Sequence, residues 1–308
     1  MKIVFLDAAT MGDVPFTAIE KLGELVLYPS SSPEEAMERV GDCDVLIINK
    51  VKVTPALIDA ARRLKLICEA ATGVNNIDLK YAASKGIPVR NVAGYSTESV
   101  VQATFMHILG LAGSAAYFDS YVKSGQYSSG GLFTDASRAW TELAGKTIGI
   151  IGMGNIGSRV AKVAEAFGMR VCYFSTSGTS HCKEYPSLPL TQLLKESDIV
   201  SIHAPYNERT AGLVGRAELA LMKPSAFIVN MGRGGIVDEA ALAEAVDAGI
   251  IAGAALDVFT EEPLPQDSPL LHVKHQERLR LAPHVAWASV EARQRLAGMI
   301  ADNIAMGW

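Results

Sequence analysis

Short apolar runs alternate with amphipathic ones along most of this chain. Between residues 1 and about 92, KIVFL, ELVLY, DVLIIN, LKLICEA and IPVRN read as strands, and stretches such as SPEEAMERVGD and TPALIDAARRL between them read as helices. The strand runs are apolar at nearly every position rather than at every second one. Both of their faces are therefore buried, which predicts a parallel sheet with helices on each side. Ser32-Pro33-Glu34-Glu35 and Thr54-Pro55 mark two helix starts, each a capping hydroxyl followed by proline at the first turn.

A second series of the same kind runs from about 146 to 283, with KTIGIIG, MRVCYFS, DIVSIHAP, AFIVNMG, IAGAALDVF and ERLRLAP as its strands. Between the two series, the apolar stretch from 97 to about 122 predicts one long helix. The segment SGQYSSGGLFTDASRAW after it carries no periodicity, and a final helix is expected from about 290 to 306. The two long helices read as crossovers: the chain starts one α/β domain, builds a second, and returns to the first. No repeat with a period of roughly 20–50 residues is visible.

Composition narrows the classes. A chain of 308 residues is long enough for two cores, and 49% hydrophobic with 20% charged residues excludes a disordered protein. At a net charge of −5 there is no basic field for nucleic acid or an anionic membrane, so any anionic ligand must be met by local loops and helix N-termini. The start, MKIVFLDAAT, reads as a buried strand rather than a signal peptide, and no apolar run approaches the roughly 18–20 residues that span a bilayer. Cys43, Cys68, Cys172 and Cys182 have no CxxC spacing and read as free thiols in a reducing, cytoplasmic setting. His272 and His275 lack companions that would complete a metal set, so no metal is expected.

Gly152-Met153-Gly154-Asn155-Ile156-Gly157 follows the strand TIGII and opens the amphipathic stretch IGSRVAKVAEAFG. In that context the glycines serve a tight turn, a close approach of backbone to a pyrophosphate, and close helix–strand packing. The helix N-terminus offers its N–H groups to the phosphates. The next strand usually ends in a carboxylate that holds the adenosine ribose hydroxyls. Here MRVCYF ends at Ser175, followed by Thr176, Ser177 and Gly178, and no arginine follows at once. The chemistry leans towards NADP(H) without excluding NAD(H).

Three polar segments sit where later strands end, the edge at which open α/β sheets bind ligands. They are Asn230-Met231-Gly232-Arg233-Gly234-Gly235, Asp257-Val258-Phe259-Thr260-Glu261-Glu262-Pro263, and Pro283-His284-Val285-Ala286-Trp287. An Arg, a carboxylate and a His at neighbouring strand ends suit reduction of a 2-keto acid. A guanidinium forks onto carboxylate and carbonyl oxygens, and an imidazole passes a proton near neutral pH. A carboxylate beside that imidazole fixes its tautomer and favours its charged form.

These segments, read in order as GMGNIG, SIHAP, NMGRGGIVDEAAL, GAALDVFTEEP and APHVAW, resemble the D-isomer-specific 2-hydroxyacid dehydrogenase family. ATGVNNID at 71–78 and NVAGYSTESVVQ at 91–102 extend the resemblance over nearly the whole chain. It implies an α/β protein of two doubly wound parallel-sheet domains, with a Rossmann dinucleotide-binding domain (99–287) inserted into a flavodoxin-like substrate domain (1–98 plus 288–308). It further implies a homodimer built by the cofactor domain and an arm around 120–145.

By the same resemblance Arg233 binds the substrate carboxylate and carbonyl, His284 is the acid/base and Glu262 its partner, with Glu261 as runner-up. Asp257 holds the nicotinamide carboxamide, and Ala204, Met231, Gly232, Arg233, His284 and Ala286 line the cofactor. Backbone N–H groups of Thr72, Gly73 and Val74 hold the substrate carboxylate. Tyr95 walls the pocket or packs as an aromatic at the domain hinge. AGYSTE with PHVAWAS resembles the glycerate dehydrogenase (hydroxypyruvate reductase) branch, so the expected substrate is hydroxypyruvate/D-glycerate, then glyoxylate/glycolate. A dinucleotide-sensing, corepressor-like binding protein is the alternative on the same fold. A methyltransferase is a further rival, in which the Arg/Glu/His set has no role.

Overall fold

Strands β1 (Lys2–Phe5), β2 (Glu24–Leu27), β3 (Val45–Ile48), β4 (Leu66–Glu69) and β5 (Val89–Arg90) form one all-parallel sheet in the order β2-β1-β3-β4-β5. The computed structural model describes residues 1–179 and 181–308. Successive side chains of a strand point to opposite faces, and here each face has its own core. Ile3, Phe5, Val45, Ile47, Leu66 and Cys68 pack with Ala292, Leu296, Ile300 and Ile304 of the helix Val290–Ala305. Val4, Leu6, Leu46, Ile48 and Ile67 pack with Ala36, Leu57, Ile58 and Ala82 on the other side. The C-terminal helix thus covers a sheet made by the first residues of the chain. The helix starts expected at Ser32 and Thr54 form, with Ser32 and Glu35 in a reciprocal capping box.

The chain divides into two compact units, Met1–Ser96 with Trp287–Trp308, and Thr97–Ala286. The second unit holds β6 (Thr147–Ile151), β7 (Arg170–Phe174), β8 (Ile199–Ile202), β9 (Phe227–Asn230), β10 (Gly253–Leu256) and β11 (Leu279–Leu281), all parallel in the order β11-β10-β9-β8-β6-β7. That order makes β9, β10 and β11 neighbours, so the ends that carry Arg233, Asp257 to Glu262, and His284 lie side by side.

The long helix expected from 97 to about 122 is broken. Helices Thr97–Ala112 and Ala115–Lys123 meet at a bend of 63°. Gly113 and Ser114 are poor helix formers, and Ser114 takes a left-handed backbone (φ 48°) that ends the hydrogen-bond ladder. Among the described residues no single helix is long and apolar enough to cross a membrane. The segment expected to lack periodicity contains one short helix, Gln126–Ser129. Burial pushes the Cys43 and Cys68 thiols up to about 12, leaving them unreactive packing groups.

Two buried carboxylates tie the strand ends of the first unit together. Asp7, just past β1, accepts from the N–H groups of Asn49 (2.9 Å), Lys50 (2.6 Å) and Val51 (3.0 Å) beyond β3. Glu69, at the end of β4, is fully buried, and its Oε2 accepts from Asn76 Nδ2 at 3.0 Å while Oε1 has no partner among the described residues. Asn76 Nδ2 also donates to the Val51 carbonyl at 3.1 Å, which anchors the loop carrying Thr72, Gly73 and Val74. Burial, with the nearby Asp7 charge, pushes the Glu69 carboxyl from 4.5 up to about 8.

A raised carboxylate favours the protonated folded state. Stability should therefore fall as pH rises above 4.5 and level off above about 8, with a slope approaching about 1.4 kcal/mol per pH unit. Glu69→Gln, whose amide oxygen still accepts from Asn76, is expected to flatten that fall. Thermal melts of both proteins at pH 6 and pH 9 check it, and equal pH sensitivity would place the ionisation elsewhere.

Candidate active site

β6 leads directly into the glycine loop. Gly152 has φ +95°, and a Cβ there would lie 2.9 Å from the backbone nitrogen of Ala204, which is buried at the end of β8. A Cβ on Gly157 would collide with the Gly152 carbonyl, so the helix Asn155–Ala166 can start this close to the strand only with glycine there. Gly154 is extended, caps that helix without a side-chain bond, and faces open space. The first N–H groups of a 12-residue helix are thereby left to an outside acceptor. This donor set and the open cradle in front of it fit the pyrophosphate of a dinucleotide.

At the far end of β7, Ser175 Oγ donates to the Thr179 carbonyl at 2.7 Å and lies 3.1 Å from Ser177 Oγ. The residues after Ser175 contain no arginine, but tertiary structure brings one: Arg209 Nη1, from the loop after β8, donates to the Ser177 carbonyl. Nothing in the local spacing pointed to it.

After β9, buried Asn230 shapes the turn that carries Arg233. Its Oδ1 accepts from Gly232 N–H at 3.0 Å and its Nδ2 donates to the Arg233 carbonyl at 2.9 Å. Met231 is buried beneath, and its N–H bonds to the Ile202 carbonyl at 3.2 Å. The Arg233 guanidinium is half-buried and donates through Nη1 to the Gly232 carbonyl at 2.9 Å. Among the described residues it makes no hydrogen bond to His284 or Glu262.

Those two are paired directly. His284 Nδ1 lies 2.7 Å from Glu262 Oε2, and Glu262 Oε1 accepts from Phe259 N–H at 3.0 Å. With Nδ1–H donated to the carboxylate, Nε2 is the ring nitrogen left for a ligand. Glu261 is exposed and makes no such contact. His284 takes a left-handed backbone (φ 52°), a conformation that costs a non-glycine residue and persists only when its surroundings impose it. They do so through Asp257, buried at the end of β10, whose carboxylate accepts from Val285 N–H at 2.8 Å and Ala286 N–H at 2.9 Å. Burial raises the Asp257 carboxyl above the usual range, against those two donors and the His284 charge. Sequence reading assigned Asp257 to the cofactor and missed this clamp on the histidine turn. By contrast His203, in the SIHAP segment, is held neutral: burial pushes it down to about 3, and Nε2 pairs with Ser201 Oγ at 2.8 Å.

Thr72, Gly73, Val74 and Tyr95 belong to the other unit. The backbone N–H groups of Thr72, Gly73 and Val74 donate to no protein acceptor among the described residues. Their loop is held by Thr72 Oγ1 to the Val92 carbonyl (2.9 Å) and Asn91 Nδ2 to the Thr72 carbonyl (2.6 Å). Tyr95 is buried edge-on against Trp287, with ring centres 6.2 Å apart.

Residues 105–286 match the family model for the D-isomer specific 2-hydroxyacid dehydrogenase, NAD binding domain. A glyoxylate reductase of Korarchaeum cryptofilum is 38% identical, the alignment covering 93% of this chain and 87% of that protein. A hydroxypyruvate reductase of Blautia hydrogenotrophica is 33% identical over 99% of this chain and 96% of its own length. Among solved structures, D-lactate dehydrogenase from Aquifex aeolicus, complexed with NAD and lactic acid, superposes with a TM-score of 0.85 at 30% identity, covering 98% of this chain and 94% of that one.

Proposed function

This chain belongs to the D-isomer-specific 2-hydroxyacid dehydrogenase family, and we propose that its substrate is hydroxypyruvate, with glyoxylate second, reduced with NADPH in preference to NADH. The general reaction is hydride transfer between NAD(H) or NADP(H) and a small 2-hydroxy or 2-keto acid. The observation that carries our assignment of roles is the 2.7 Å pair of His284 with Glu262, beside the strand end that bears Arg233.

Arg233 binds the keto acid through carboxylate and C2 carbonyl oxygens and draws charge towards that carbonyl. Held at the glycine loop 152–157, a reduced nicotinamide cofactor would supply the hydride for C2. Protonated His284 gives its Nε2 proton to the oxygen that becomes the alkoxide, and Glu262 stabilises the charged ring beforehand. Asp257 keeps the histidine turn in place. Oxidation of NADPH and NADH across a panel of 2-keto acids tests the assignment. Best turnover with hydroxypyruvate supports it, and turnover confined to larger keto acids overturns it.

The partner of His284 has its own test. Glu262→Gln keeps the shape but not the charge, and its amide can donate to Nδ1 and trap the wrong tautomer. We expect kcat to fall by roughly 10–10²-fold, within the range general acid–base catalysis contributes. Glu261→Gln is expected to stay close to wild type. The reverse ranking in steady-state assays would transfer the role to Glu261.

We further place the protein in the cytoplasm as a homodimer. Four free thiols fit a reducing compartment. Leu132 and Phe133 are 73% and 90% exposed in the segment after the broken helix, an apolar surface that a second copy would cover. Sedimentation equilibrium reads the state directly.

A further inference from the structure

Arg209 reaches the turn that follows β7 from another strand end, 32 residues away in sequence from the Ser177 carbonyl it touches. Its own loop is built to hold it there. Thr210 Oγ1 donates to the Pro205 carbonyl at 2.6 Å and accepts from Asn207 N–H at 2.9 Å, while Asn207 Oδ1 accepts from Arg209 N–H at 2.9 Å. Thr210 is fully buried, so the base of the loop is anchored while the guanidinium stands exposed at its tip. No carboxylate lies within ion-pair distance of Arg209 among the described residues, although Glu208 precedes it and Glu184 follows the turn. The rim after β7, whose Ser175 and Ser177 hydroxyls both donate to the Thr179 carbonyl, therefore presents an uncompensated cation and no carboxylate at the position where a Rossmann site for NAD(H) has its ribose-binding acid.

We propose that Arg209, standing at the turn that carries Ser175 and Ser177, binds the 2′-phosphate of NADP(H) and sets the cofactor preference of this chain. The proposal rests on the dehydrogenase reading above. A guanidinium has five N–H donors, and one of them is taken by the Ser177 carbonyl. The remainder form the planar fork that suits phosphate oxygens. A phosphate monoester carries roughly −1.5 to −2 charge at pH 7, whereas the 2′-hydroxyl of NAD(H) carries none. The cation therefore discriminates between the cofactors rather than strengthening both. Because it arrives from the β8 loop, substitution at Arg209 leaves the glycine loop and the catalytic strand ends untouched.

Calorimetric titration with ADP-ribose and with 2′-phospho-ADP-ribose tests this without turnover. Wild type is expected to bind the phosphorylated probe at least about tenfold more tightly, a difference of about 1.4 kcal/mol. Arg209→Ala should erase most of that ratio, Arg209→Lys should keep part of it, and Arg209→Glu should reverse it. Affinity for ADP-ribose should stay near wild type in the Ala and Lys variants. In assays the KM for NADPH should rise with Arg209→Ala while the constants for NADH hold, and Ser175→Asp should move preference towards NADH. Equal binding of both probes by wild type, or a ratio unchanged in Arg209→Ala, overturns the proposal. If the ratio behaves as expected but no 2-keto acid is reduced with either cofactor, the reaction assignment fails and the role of Arg209 stands.

Discussion

His284→Ala is expected to lower kcat for keto-acid reduction by about 10²–10⁴-fold, the usual contribution of a positioned general acid. That corresponds to roughly 3–5 kcal/mol of barrier. The imidazole is placed for this by two constraints: the Glu262 carboxylate on Nδ1, and the Asp257 clamp on the two following N–H groups, which holds the left-handed backbone at His284. Alanine removes the proposed proton donor and leaves the glycine loop intact, so affinity for the reduced cofactor, followed by its fluorescence, should change little. Turnover near wild type in His284→Ala would show that another group delivers the proton.

Arg233→Lys is expected to lower kcat/KM by about 10²-fold or more, in line with losing one donor that stabilises developing negative charge on oxygen. Lysine keeps the charge, but it has no planar fork and cannot engage carboxylate and carbonyl together. The turn below should survive, because Asn230 holds it through the backbone of Gly232 and Arg233 rather than through the guanidinium. An unaltered melting temperature with impaired turnover separates a chemical loss from a structural one. Wild-type kcat/KM in Arg233→Lys would move carboxylate recognition elsewhere.

Parallel strands buried on both faces are legible as unbroken apolar runs, and helix starts are legible as Ser or Thr before Pro, because period, capping and turn chemistry operate between adjacent residues. The glycine loop is legible for the same reason. A tight turn, a close backbone approach and a helix start within six residues leave a compact trace, and the structure gives Gly152 and Gly157 each a distinct physical reason.

The stretch from 97 to 122 is apolar enough to continue as one helix, yet a single left-handed serine turns it by 63°. The spacing alone did not choose between Glu261 and Glu262, since they are neighbours in the same turn. The backbone after β10 presents one to His284 and the other to solvent.

What the amino-acid order determined by itself was therefore the α/β alternation, the cofactor loop and the three strand ends that carry polar chemistry. Only tertiary structure decided which groups meet across 22 residues in His284 and Glu262, or across 32 in Arg209 and Ser177. It also decided that Glu69 keeps its proton towards about pH 8. Contacts of that range depend on the order in which strands assemble, and a carboxylate's proton affinity depends on how completely the assembled sheet removes it from water. Neither quantity exists until the chain has folded.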